Sequence, residues 1–93
     1  TKDEQRGAGW SRGAAEQGKR VAQNRIANRY ANGRGVAIDP GEAATWHLIA
    51  RAHGASDFWL DGYVASLSDE NAEKAKTRAA KWQQAAKLPS PLF

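Results

Sequence analysis

From Gly18 to Gly54 the chain reads GKRVAQNRIANRYANGRGVAIDPGEAATWHLIARAHG. Two helices joined by a glycine loop account for it. Ala22, Ile26 and Tyr30 stand at i, i+4 and i+8 with Ala27 beside them, while Arg25, Asn28 and Arg29 point elsewhere. That spacing predicts an amphipathic helix over 19–32. Gly33-Arg34-Gly35 stops it, because glycine accepts the positive φ that closes a helix C-terminus. Val36-Ala37-Ile38 is short and apolar, and its length suits a connector with one buried anchor. Asp39-Pro40 opens the second helix. The Asp side chain accepts from unpaired amides, and proline at the first helical position gives up an amide that would be unpaired anyway. Glu42 adds charge that favours the positive helix start. Ala43, Ala44, Trp46, Ile49 and Ala50 form the apolar side of a helix over 40–53, which ends near Gly54.

The same unit recurs on either side of this stretch. Trp10, Trp46 and Trp82 are 36 residues apart, and the same offset links Asp3 to Asp39, Ala8 to Ala44 to Ala80, Ala14 to Ala50 to Ala86, and Gly18 to Gly54. A period of 36 lies in the range of two-helix repeats. Residues 3–17 match the second helix of the unit, weakened by Gly7, Gly9 and Gly13, each costing about 1 kcal/mol relative to alanine. Ser56 and Asp57 suit the start of a short helix over 56–66. Ser68-Asp69-Glu70 opens a last helix over 69–87, with Ala72, Ala75, Ala79, Trp82 and Ala86 along one face. Pro89 and Pro91 stop it, leaving an extended tail. On this reading Trp10, Trp46 and Trp82 are core residues of the repeat, and Trp59 stands outside the period.

Composition narrows the function classes. The 93 residues make one small domain, with 14 Lys and Arg against 10 Asp and Glu and a formal charge of +4. Cysteine is absent, so there is no disulfide framework, thiolate metal site or cysteine nucleophile. No apolar run approaches the ~18 residues of a membrane span, and no signal-peptide pattern stands at the start.

The run Gly18, Ala22, Ile26, Tyr30, Asn32-Gly33-x-Gly35-Val36, Asp39, Ala43-Ala44, Trp46, Ala50 and Gly54 resembles the Sel-one-like repeats, relatives of the tetratricopeptide repeats. Four positions depart from the pattern: Asn24 and His47 where aromatics are usual, Ala27 where glycine is usual, and Arg51 where alanine is usual. The resemblance divides the chain into four parts. Residues 1–18 are the second helix of a partial repeat, 19–54 one complete repeat, 55–88 the C-terminal capping helices and 89–93 a tail. It implies an all-α fold, a short right-handed α-solenoid of antiparallel helix pairs with a C-terminal capping helix. It also implies a non-enzymatic protein-interaction scaffold or adaptor, a piece of a larger bacterial protein of a kind that is often exported.

The residues leave little room for catalysis. Gly33-Arg34-Gly35 follows a helix and lacks the ending of a phosphate loop. His47 and His53 are six apart, off one helical face, and His47 is expected to pack in place of an aromatic. No metal, cofactor or catalytic residue is expected. The charge surplus lies wholly in residues 1–54, which carry nine Lys and Arg against five Asp and Glu, whereas 55–93 carry five of each. The polar side of the first helix of the repeat, Asn24, Arg25, Asn28, Arg29 and Asn32, is the candidate partner-binding face. A protein or peptide partner is expected there. The alternative is a small basic nucleic-acid-binding helical module, disfavoured because the aromatics occupy repeat positions instead of interleaving with the basic residues. Joint replacement of Arg25 and Arg29 is expected to weaken binding and leave thermal stability nearly unchanged. Trp10's helix lacks a neighbour on one side, so an apolar N-terminal face is expected to be exposed and open to self-association. The Leu88–Phe93 tail is a second docking candidate.

Overall fold

Each helix but one begins where the sequence supplies a side-chain cap. In the computed structural model, which describes residues 1–87, the Thr1 hydroxyl accepts from the Glu4 amide at 3.1 Å and starts α1 (Lys2–Glu16). Asp39 accepts from the Glu42 amide at 3.1 Å and starts α3 (Pro40–Ala52). Asp57 accepts from the Leu60 amide at 3.0 Å and starts α4 (Phe58–Ala65). The Ser68 hydroxyl accepts from the Asn71 amide at 3.2 Å ahead of α5 (Asp69–Lys87). The exception, α2 (Arg20–Asn32), follows Lys19, whose side chain caps nothing. Its start is set by the turn out of α1, in which the Lys19 amide donates to Ala14 O at 3.2 Å. The described residues contain five helices and no strand. The candidate tail, 88–93, lies outside them.

The glycine loop does what its composition requires. Gly33 closes α2 at φ 69° with its amide on Arg29 O. Gly35, at φ 80°, backs onto the first turn of α1 so closely that a Cβ there would overlap the Glu4 carbonyl. Val36 is the connector's anchor and packs on the core, while Ile38 stays exposed.

The core lies along a chain of helix contacts. α2 packs against α1 on one side and α3 on the other, and α3 packs in turn against α5 and, over a smaller area, α4. Ala8 and Ala15 of α1, Ile26, Ala27 and Tyr30 of α2, Ala43, Trp46 and Ile49 of α3, Leu60 of α4 and Ala79 of α5 make one cluster. Small side chains at these contacts let helix axes approach toward the ~8 Å end of the usual range. The molecule measures 42 × 33 × 20 Å, so its thin dimension holds about two helix diameters.

The periodic tryptophans do not share one fate. Trp46 is buried at 3 % exposure, and its ring meets Trp82 edge to face at 5.6 Å. Trp82 is partly buried against the core. Trp10 is 81 % exposed. The reading of all three as core residues fails at Trp10, whose exposure agrees instead with the expected open N-terminal face: among the described residues α1 packs mainly against α2.

Candidate functional site

The polar face of α2 splits into residues that hold the fold and residues that face outward. Asn24 and Asn28 both donate to one carboxylate oxygen of Asp57, at 2.9 and 3.1 Å. The other oxygen of Asp57 caps α4. One carboxylate therefore ties the start of α4 to the middle of α2. Burial pushes the Asp57 carboxyl up. Hydrogen bonds from Asn24, the Leu60 amide and Asn28, with the nearby His47 ring, outweigh that and hold it below the ordinary carboxylate range.

Arg29 is also engaged. Its guanidinium donates to Glu4 O at 3.2 Å and to Arg34 O at 3.2 Å. It fills the space beside Gly7, where a Cβ would lie 2.6 Å from its terminal nitrogen. It thus clamps the first turn of α1 to the loop that closes α2. Asn32 donates to Asn28 O at 2.9 Å. Arg25 is exposed and takes part in none of the ion pairs among the described residues.

Arg25, Asn28, Arg29, Asn32 and Arg34 line a cleft of about 340 Å³. Four of these five are predicted site residues, and Asn24 is turned aside to Asp57. Arg34, from the glycine loop, is the addition that helical spacing could not find. Its guanidinium lies 3.7 Å from the Glu4 carboxylate. The lining holds three guanidiniums and two carboxamides, and no acidic residue lines it. Such a cleft attracts carboxylates and phosphates, for which arginine's planar fork of donors is suited.

Two buried polar ties lie behind this face. Gln23 is fully buried; its amide nitrogen donates to Ala15 O at 3.1 Å, so its oxygen is left to accept from His53 Nδ1 at 2.8 Å. Sequence spacing placed Gln23 on the apolar side, three and four residues before Ile26 and Ala27, which was the available signal for a buried amide. His47 is buried, with Nε2 2.7 Å from Asp61, and its Nδ1 has no partner. A carboxylate only accepts, so Nε2 carries the hydrogen. The two histidines serve separate networks, and no group of three His, Asp or Glu residues converges among the described residues. No helix among them is long and apolar enough to cross a membrane.

Comparison with family models, with curated proteins and with solved structures gives no match for this chain.

Proposed function

We propose that the chain is a non-enzymatic interaction scaffold of the Sel-one-like kind, whose α2 face docks an acidic segment of another protein. The cleft carries this reading: Arg25, Arg29 and Arg34 converge with Asn28 and Asn32 around one open space that no carboxylate lines. The architecture proposed with it is a short right-handed solenoid of antiparallel pairs, with residues 19–54 as the complete repeat and α4 and α5 as its cap. Succession of contacts from α1 to α2 to α3 to α5 supports it, as does the meeting of Trp46 with its 36-residue counterpart Trp82. In such arrays each unit buries its apolar face only against its neighbour.

The test is fluorescence anisotropy of a labelled Glu- and Leu-containing peptide and of a short DNA duplex, at about 50 and 200 mM salt, the range over which phosphate-led binding collapses. The peptide is expected to bind, and Arg25→Ala to weaken it about fivefold or more, near 1 kcal/mol, with an unchanged melting temperature. Tight duplex binding that falls steeply with salt, with no peptide binding, would favour the nucleic-acid module instead.

A further inference from the structure

We propose that two copies of this chain pair reciprocally, the aromatic shelf of α4 on one copy seating in the apolar groove between α1 and α2 of the other. The groove has a volume of about 310 Å³, and Trp10, Ala14 and Val21 give it an apolar lining. Trp10 is 81 % exposed and Val21 59 %. The shelf is Phe58, 90 % exposed, and Trp59, 54 % exposed and stacked on Tyr63 at 5.4 Å. Exposed aromatics of this size on a small soluble chain mark contact surfaces.

Charge favours the pairing. The charged residues lining the groove are Lys19 and Arg25. Phe58 and Trp59 lie between Asp57, whose hydrogen-bond partners Asn24, Asn28 and the Leu60 amide are neutral, and Asp61, which is paired with Arg51 at 3.5 Å. The shelf supplies an apolar complement to the groove and one carboxylate, Asp57, not neutralised by a paired cation among the described residues, so each copy carries both halves of the contact.

Position permits a closed pair. Val21 and Arg25 bring α2 into the groove, and the neighbouring Asn24 and Asn28 hold Asp57 at the root of the shelf. Groove and shelf are thus both tied to α2. A twofold axis beside α2 brings each shelf to the other copy's groove. At their exposed fractions, Trp10, Phe58 and Trp59 from two copies offer roughly 700–1,100 Å² to a partner, from ~150–250 Å² for a whole ring. That is the size of a weak, reversible contact, below about 1,200 Å², and calls for a dimer seen toward the upper end of the micromolar-to-millimolar range. Arg25 lines both this groove and the Arg34 cleft, so the two surfaces adjoin. The pairing is tested at Trp10 and Phe58, which do not line that cleft, and does not depend on the acidic-segment reading.

Sedimentation equilibrium of the chain from about 1 μM to 1 mM, a span of ~4 kcal/mol in binding energy, tests it. A monomer–dimer equilibrium that stops at the dimer is expected. Trp10→Ser and Phe58→Ser should each raise the dissociation constant tenfold or more with unchanged circular dichroism. Mixed one to one, the two variants should dimerise more tightly than either alone, because the mixed dimer keeps one groove and one shelf intact against each other. A chain that stays monomeric at 1 mM overturns the proposal. So does a dimer indifferent to both substitutions, or a mixture that gains nothing.

Discussion

Trp10 and Trp46 hold the same place in the 36-residue period, on α1 and α3, yet one is 81 % exposed and the other 3 %. Their surroundings match in sequence as well: Ala14 with Ala50, Gly18 with Gly54. What differs is the company. α3 lies between α2 and α5, whereas α1 has its main contact with α2 alone. A helix sequence encodes a face that can be buried, and only a neighbouring helix buries it. Even the helix start shifts with context. Asp39 caps α3, while α1 begins earlier, on Thr1, and takes Asp3 into its first turn.

The largest test of that contrast is the pair of alanine substitutions. Trp46→Ala should cost about 3–5 kcal/mol through the cavity it leaves beside Ile49 and Trp82. A chain of this length has about 5–14 kcal/mol in all. In the monomer, at concentrations below the dimer range, Trp10→Ala should stay within about 0.5 kcal/mol. Urea unfolding of both variants gives the comparison directly, and equal losses would show that α1 is covered in solution.

Glycines sharpen the contrast next. Gly35→Ala forces a side chain into positive φ and onto the Glu4 carbonyl, at a cost of about 1–3 kcal/mol. Gly9→Ala, on the open side of α1 where a Cβ meets nothing, should stabilise by about 0.5–1 kcal/mol. Opposite signs in thermal melts are the expected result. A loss at Gly9 would mean that another body approaches α1 there.

All five helices are legible in the sequence, because caps and glycine stops are local signals and the 3.6-residue apolar spacing is strong. The side chains' partners are less so. Asp57 announces itself as a cap, but nothing in one sequence says that Asn24 and Asn28 will share its second oxygen from 33 and 29 residues away. The asparagines therefore read as surface residues of a binding face, and Asn24 is instead a tether. Arg29 has the same ambiguity: its helical position is plain, but its bond to Glu4 depends on α1 folding back against α2. Trp10 reads as core from the period alone, which treats every unit as internal, and as exposed once the missing neighbour of α1 is counted. Arg34 escaped notice because helical periodicity does not reach into a loop.

Asp57 supports α4 from α2, a third kind of attachment beside the two-sided packing of α3 and the one-sided packing of α1. Asp57→Ala removes the α4 cap and leaves two carboxamides without their acceptor, a loss of about 1–2 kcal/mol. The pH dependence follows from the lowered carboxyl. Its contribution is complete above the unfolded Asp value of about 3.9 and disappears as the pH falls through the lower folded value. The stability gap between the natural chain and Asp57→Asn should therefore be widest near neutrality and close in strong acid. A gap that stays constant with pH would assign the effect to packing.

The smallest effects separate the two arginines. Arg29 holds α1 to the α2 loop through Glu4 O and Arg34 O, so Arg29→Ala should cost about 1 kcal/mol. The loss should appear first as faster amide exchange in α1, the helix with one neighbour, while α3 stays protected. Arg25 makes no such bond, and Arg25→Ala should leave both exchange and melting within error. Replacing both together confounds a fold contact with a surface charge, which is why the joint substitution cannot be expected to spare stability. Uniform exchange across α1 and α3 in the Arg29 variant would show that α1 is held by its apolar contacts with α2, Ala8 and Ala15, and that the guanidinium clamp adds nothing to them.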